Sequence, residues 1–199
     1  MLALAIDTEF LVILAGASFV VYLYSQIIRR RVSALTSVLD QKAGHVRGIL
    51  SFALEGHFHG RHIEFLTEPG GRHSPSKFIA ALETHSPLAF RIAREGIGDR
   101  VMQALNMQSE LKVGDPEFDR KFVLASDTPE RFLPWLQRPD VRTALSAIIL
   151  ERGVDVLELE GSCLRLTCVN YHKRDMSPET VRAVLEQSET LLRSAESLS

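Results

Sequence analysis

Three histidines lie within six residues of one another, in the segment His57-Phe58-His59-Gly60-Arg61-His62. If this segment is a strand, alternation places His57 and His59 on the same face, and two imidazoles on one face can bind Zn²⁺ or Cu²⁺. The sequence therefore predicts a candidate metal site at His57, His59 and His62. A polar hairpin tip with solvated histidines is the alternative interpretation.

Motifs that would define an enzyme are missing from the chain. It contains no Gly-Lys-Ser/Thr phosphate loop, no Gly-x-Ser-x-Gly elbow, no His-Glu-x-x-His and no Cys-x-x-Cys. We therefore predict no catalytic residue, no cofactor and no small-molecule substrate, and we expect a non-enzymatic protein.

The two cysteines, Cys163 and Cys168, are five residues apart in one predicted strand. An odd offset puts their side chains on opposite faces, so they are poorly placed to form a disulfide with each other. We interpret them as two half-buried small apolar residues.

The length of the chain and the distribution of its charges indicate how the chain is divided into a membrane segment and a folded domain. The chain has 199 residues, of which 45% are apolar and 24% charged, and this suits one membrane segment followed by one compact domain. Asp7 and Glu9 are the only charged residues before Arg29, so the remainder, which holds all 23 basic residues, is formally neutral. The absence of a basic excess argues against nucleic acid as a partner.

Residues 10–28 form an uncharged run of 19 residues. As a helix the run would extend roughly 28 Å, which matches a bilayer core. Aromatic and basic residues typical of a membrane interface lie at its C-terminal end, namely Tyr22, Tyr24, Arg29, Arg30 and Arg31. A cleaved signal peptide fits less well because the N-terminal residues are acidic. The sequence predicts a transmembrane anchor over 1–31, in a bacterial inner membrane, with the N-terminus outside and the following domain cytoplasmic.

The remainder predicts an α+β fold, an antiparallel β-rich domain with capping helices. Helical spacing of apolar residues predicts a juxtamembrane helix over 32–48, before a domain over 49–199 that divides into two candidate β-rich halves, 49–110 and 111–199. Predicted strands are 50–54 and 62–66 around a loop 55–61, then 78–85, 88–94, 111–113, 122–125, 154–160 and 163–169. Predicted helices are 130–137, 139–150 and a last helix that begins at Ser177-Pro178-Glu179.

A distinctive segment precedes the predicted helices and contains Gly114, Asp115, Phe118, Asp119 and Phe122. The phenylalanines can pin a loop to the core, and the aspartates can accept hydrogen bonds from nearby backbone N–H groups. A paired-carboxylate acid–base site is the alternative. The pattern Gly-Asp-x-x-Phe-Asp-x-x-Phe resembles the soluble domain of uncharacterised bacterial single-span membrane-anchored proteins. That resemblance implies this fold over roughly residues 50–198 and implies no catalytic residues.

These observations favour a membrane-anchored interaction module or accessory subunit that stabilises a larger inner-membrane complex. Its expected partners are the lipid bilayer and other integral membrane proteins. A metal-binding protein using His57, His59 and His62 is the alternative. In layout alone, the chain also resembles the H subunit of photosynthetic reaction centres.

Overall fold

The computed structural model describes residues 18, 19, 22, 25–27, 29, 30, 32–45, 51–72, 74–96, 111–171 and 175–198. Its described part contains one antiparallel sheet of eight strands in the order β1-β2-β3-β4-β8-β7-β5-β6. The strands are β1 Gln41–His45, β2 Ala53–Phe58, β3 Arg61–Glu68, β4 Lys77–Glu83, β5 Phe90–Arg94, β6 Phe122–Ser126, β7 Val156–Glu160 and β8 Cys163–Val169. The expected α+β class with an antiparallel sheet is confirmed.

Four helices follow or separate these strands in the described C-terminal half. They are α1 Pro116–Asp119, α2 Pro129–Leu136, α3 Pro139–Ser146, which continues as a π-helical turn Ala147–Glu151, and α4 Pro178–Glu196. Each begins with a proline in its first turn, where the missing N–H removes no helical hydrogen bond. Ser177 caps α4 by accepting a hydrogen bond from the Thr180 N–H.

One face of the sheet lines the hydrophobic core. A row of directly paired residues crosses seven strands on this face, and every member is at most 4% exposed: Leu54, Phe65, Ala80, Leu166, Leu157, Ile92 and Leu124. The helices cover this face. Phe90 of β5 stacks on Phe132 and Trp135 of α2, and Val184 of α4 lines a small apolar cavity of about 30 Å³ with Phe65 of β3.

The opposite face, which we call the outer face, is more polar and less buried. A row of charged residues runs across its middle strands and contains Glu64, Arg165, Glu158 and Arg91. The next row is mainly apolar and contains Leu66, Ile79, Thr167, Val156, Ala93 and Val123. Leu66, Ile79 and Val123 are only partly buried, so apolar surface remains accessible beside the charged row.

The N-terminal residues that the structure describes are helical up to Thr36. Within the described residues, no helix is both long and apolar enough to cross a membrane. Most of the predicted span 10–28 lies outside the described residues.

The predicted juxtamembrane helix over 32–48 is wrong beyond Thr36. Leu35, Val38 and Leu39 are buried as their spacing suggested, but the chain then turns and forms β1 alongside β2. The Asp40 N–H donates to the His57 carbonyl, and Asp40 Oδ2 accepts from the His59 N–H. Gly44 disfavours a helix here, and pairing with the sheet edge satisfies the backbone instead.

The first predicted hairpin exists but its loop is shorter than expected. The structure replaces the predicted loop 55–61 with the two residues His59 and Gly60, both at positive φ (50° and 80°). Two left-handed residues in a row form the turn that matches the twist of a tight hairpin, so strand pairing extends to Phe58 and Arg61.

The remaining predicted elements agree with the structure apart from their bounds and the region around Leu111. Leu111 makes a single bridge to Leu124 rather than a strand. Strands from both predicted halves share the sheet, because β4 pairs with β8 and β5 pairs with β6 and β7.

Candidate functional site

The turn of the β2–β3 hairpin carries the predicted histidines. His57 and His62 are direct partners across the two strands, and their ring centroids are 5.7 Å apart in an edge-to-face arrangement. His62 is exposed and His57 is half-buried. The structure therefore brings these two imidazoles together on the outer face.

His59 does not join them. It lies in the turn rather than in a strand, and its ring stacks on Phe58 at a centroid distance of 4.2 Å. The strand alternation that paired His57 with His59 is therefore wrong, because the positive φ of His59 ends the strand at Phe58. Across the described ranges, no group of three or more His, Cys, Asp or Glu side chains is arranged to hold a metal ion.

Arg61 follows the same turn and forms the centre of a polar group that we call the Arg61 cluster, made of Arg61, Thr84, Glu189 and Glu196. The Arg61 Nε donates to Glu189 Oε2 at 2.9 Å, and its Nη1 donates to Glu196 Oε1 at 2.8 Å and to the Glu83 carbonyl at 2.6 Å. Thr84 Oγ1 donates to the same Glu196 oxygen at 2.8 Å. The side chain of Arg61 is 16% exposed and that of Glu189 is 9% exposed.

This arrangement perturbs the pKa of each charged member. Hydrogen bonds from Arg61, then from Thr84 and the His85 N–H, lower the pKa of Glu196 to about 2. Burial acts to raise the pKa of Glu189, but hydrogen bonds from Arg61 and Arg193 outweigh it and the net shift is downward. Burial likewise opposes the charge on Arg61, yet the two carboxylates raise its pKa overall. All three groups are charged at neutral pH.

The Arg61 cluster is better suited to structure than to acid–base chemistry. A general acid or base operates best with a pKa near the working pH. Here the pKa of each charged member is shifted away from neutral pH. Because Glu189 and Glu196 belong to α4, the cluster ties the β2–β3 hairpin to the last helix.

The Gly114–Phe122 segment is a capped turn packed on the core. Phe118 and Phe122 are 7% and 1% exposed with ring centroids 4.5 Å apart. Asp115 Oδ1 accepts from the Glu117 and Phe118 N–H groups and caps α1. Both expected roles, aromatic pinning and backbone capping by aspartate, are confirmed, although the segment forms a short helix rather than the start of a strand.

The second aspartate, Asp119, binds the backbone at the N-terminal end of the segment. Asp119 accepts hydrogen bonds from the Val113 and Gly114 N–H groups, and Gly114 itself has a φ of 81°. Asp115 also accepts from Arg142 Nη1 at 2.7 Å, and the Arg142 guanidinium lies 5.0 Å from the centre of the Phe118 ring. The hydrogen bond from the Phe118 backbone N–H, and next that from the Arg142 side chain, lower the pKa of Asp115. A general-acid role for this carboxylate is thereby disfavoured.

Trp135 and Cys168 occupy core positions, whereas Cys163 is half-buried on the outer face. Cys163 and Cys168 lie on opposite faces of β8, with no disulfide between them in the described structure. Burial raises the pKa of the Cys163 thiol, which makes it a weaker nucleophile at neutral pH. Trp135 is 1% exposed and its Nε1 donates to Ser194 Oγ of α4 at 3.0 Å.

The residues expected at a membrane interface are described in part. Tyr22 is helical and 58% exposed, and Arg29 and Arg30 are helical and exposed. Tyr24 and Arg31 lie outside the described residues.

Neither a protein-family model nor a curated protein matches this chain.

Sequence reasoning missed the Arg61 cluster. Arg61 lies 128 residues from Glu189 and 135 from Glu196, and no local spacing connects them. The sequence did contain one signal. Two glutamates, Glu189 and Glu196, are seven residues apart in α4 and therefore lie on the same face of the helix, which also carries buried residues. A carboxylate on such a face requires a partner, because an unpaired buried charge is strongly destabilising.

Proposed function

We propose that this protein is a single-span, membrane-anchored interaction module that acts as a non-enzymatic accessory subunit of a larger inner-membrane complex. In this proposal, residues 1–31 form the transmembrane anchor, with the N-terminus outside. The domain over 49–199 then lies in the cytoplasm beside the membrane. Its partners are the bilayer and other integral membrane proteins.

The proposed anchor is supported mainly by large apolar side chains that are exposed in the N-terminal helical residues. Phe19, Tyr22 and Ile27 are 60%, 58% and 50% exposed, on helical residues directly before Arg29 and Arg30. Large apolar side chains exposed in this number on one short segment favour contact with lipid or with another protein. The uncharged run 10–28 and the arginines that follow it support lipid as the main contact.

The outer face of the sheet supports the proposed protein partner. Leu66, Ile79 and Val123 leave apolar surface accessible next to the charged row that contains Glu64 and Arg165. Interfaces combine an apolar centre with a polar rim, so this face has the composition of a docking surface for a membrane protein held next to the same bilayer.

The anchor is tested by extraction of membranes with alkaline carbonate. We expect the full chain to stay in the membrane pellet and a variant lacking residues 10–28 to be released. Phe19→Arg, which places a charge within the apolar run at a cost of about 3 kcal/mol, should be released in part. Ser33→Arg, outside the run, is the matched control. Release of the full chain would contradict the anchor.

Orientation is tested with a membrane-impermeant thiol reagent on intact cells. In a background with Cys163→Ser and Cys168→Ser, a cysteine introduced at Ala3 should be labelled and one introduced at Leu198 should not. The opposite pattern would contradict the proposed topology without affecting the anchor.

The accessory role is tested by purification of the full chain in mild detergent, followed by mass spectrometry of the intact complex. We expect a stoichiometric membrane-protein partner that is lost in Leu66→Glu and Ile79→Lys but retained in Leu198→Glu, which changes an apolar residue 38% exposed at the end of the chain. A protein that is monomeric in native membranes, without a reproducible partner, would contradict the proposal.

A further inference from the structure

The pair formed by His57 and His62 is the strongest cluster of metal-ligating side chains that the described part of the molecule brings together. The two residues are direct cross-strand partners, and both side chains belong to the outer face, away from the helices. The ring centroids are 5.7 Å apart with an interplanar angle of 73°.

The hairpin turn fixes this pair in a favourable register. The two-residue turn His59-Gly60 closes on Phe58 and Arg61, which form the hydrogen-bonded pair next to it. Pairs alternate along antiparallel strands, so His57 and His62 form the next, non-hydrogen-bonded pair, where opposing side chains are closest. A tight hairpin holds such a pair with little freedom of the backbone, which reduces the entropy lost on chelation.

The distance between the rings suits chelation. With Zn–N bonds of about 2.0–2.1 Å, each imidazole centroid lies roughly 3.2 Å from the metal, so a tetrahedral pair has centroids about 5.2 Å apart. The observed 5.7 Å exceeds this separation by about half an ångström, which small side-chain rotations cover.

Two carboxylates lie beside the histidines on the same face. Glu55 and Glu64 are also direct partners, two residues farther along each strand from His57 and His62. Their charges favour a cation at this end of the hairpin, and imidazole with carboxylate is a ligand environment typical of Zn²⁺.

We propose that His57 and His62 chelate a divalent transition-metal ion of the Zn²⁺ class, with water in the remaining coordination positions. Two imidazoles supply the ligands from this chain. His59, stacked on Phe58, is not a ligand. The site is separate from the proposed membrane anchor and does not depend on it.

Isothermal titration of the full, untagged chain in mild detergent with ZnCl₂ tests this proposal. We expect saturable binding of one equivalent, weakened about tenfold or more in His57→Ala and in His62→Ala. His59→Ala, in the same turn, is the matched control and should bind as the wild type does. Equal weakening in all three variants, or unchanged binding in His57→Ala and His62→Ala, would overturn the proposal. So would several weak equivalents or the absence of binding.

A second measurement separates loss of the site from loss of the fold. Unfolding in urea, followed by the fluorescence of Trp135, should give similar midpoints for the wild type and all three variants without metal. Zn²⁺ should raise the midpoint of the wild type and of His59→Ala, because a ligand that binds only the folded state stabilises it. A similar rise in His57→Ala would contradict the assigned ligands.

Discussion

The Arg61 cluster and the Gly114–Phe122 segment both join an arginine to aspartate or glutamate, but they hold the molecule together over different distances. The cluster connects β3 to α4 across 128 and 135 residues of chain. In the segment, every hydrogen bond of Asp119 and the capping bonds of Asp115 reach no farther than six residues. A long-range tie stabilises the packing of one element on another, whereas a local tie shapes a turn.

Burial differs between the two regions as well. In the Arg61 cluster the charged side chains themselves are largely buried, from 9% exposed for Glu189 to 26% exposed for Glu196. In the segment the buried groups are the two phenylalanine rings, while the side chain of Asp115 is 37% exposed. We therefore expect charge removal to matter most in the cluster and loss of apolar volume to matter most in the segment.

The largest effect should come from Phe122→Ala. Truncation of this ring, 1% exposed, removes apolar contacts with Phe118 and leaves a cavity, at an expected cost of about 4 kcal/mol in the free energy of unfolding. Urea unfolding of the full chain in mild detergent, followed by Trp135 fluorescence, measures it. Phe19→Ala, at a ring 60% exposed, is the control and should leave the midpoint unchanged.

Arg61→Ala should be the next most destabilising change, at about 3 kcal/mol, because it leaves Glu189 buried without its main partner. The same unfolding experiment applies. Arg120→Ala is the matched control, since Arg120 is 74% exposed in its pair with Glu117 and such pairs contribute at most about 1 kcal/mol. Equal effects of the two substitutions would show that the cluster is no more than a surface ion pair.

A combined variant sharpens this interpretation. Replacing Arg61, Glu189 and Glu196 together by Met, Leu and Met removes the charges and their desolvation cost at the same time. We expect it to recover much of the stability that Arg61→Ala loses. If the triple variant were as unstable as Arg61→Ala, the charged cluster would instead make a net favourable contribution to the free energy of unfolding.

The same contrast explains what the sequence could predict. Hydrophobic alternation identified β7 and β8, and the prolines with their capping residues identified the starts of α2 and α4, because those signals are local. The sequence also predicted the roles of Phe118 and Asp115 for this reason. Glu189 and Glu196 on the packed face of α4 indicate that a partner is needed, but local spacing cannot identify Arg61 as that partner, since the two elements meet only after the sheet and α4 have packed.

Two errors have a related cause. Residues 41–45 fall within the predicted helix because they lie between Leu39 and Val46, two apolar positions of the helical spacing. They instead pair with the edge of a sheet whose other strands lie farther along the chain. The metal-site hypothesis treats the segment 57–62 as one continuous strand, but Gly60 permits a turn of two residues, His59 and Gly60, that local periodicity does not reveal.

Acid should weaken the Arg61 cluster in a defined pH range. The pKa of Glu196 is about 2 in the folded protein against an ordinary value of 4.5, so its contribution is complete above pH 4.5 and is lost as the pH falls toward 2. The lowered pKa of Glu189 acts in the same direction. As the pH is lowered from 7, the urea midpoint of unfolding should therefore fall more steeply for the wild type than for Glu196→Gln. Parallel profiles for the two proteins would contradict this assignment.

The smallest effect should come from the charge of Asp115. Asp115→Asn keeps an oxygen that can cap α1 but removes the ion pair with Arg142, whereas Asp115→Ala removes both. Because the side chain is partly exposed and its capping bonds are local, we expect Asp115→Asn to shift the urea midpoint only slightly. Asp115→Ala should shift it more, though less than Arg61→Ala does. If Asp115→Asn were as destabilising as Asp115→Ala, the ion pair with Arg142 would be the main contribution, and the segment would depend on charge in the way the Arg61 cluster does.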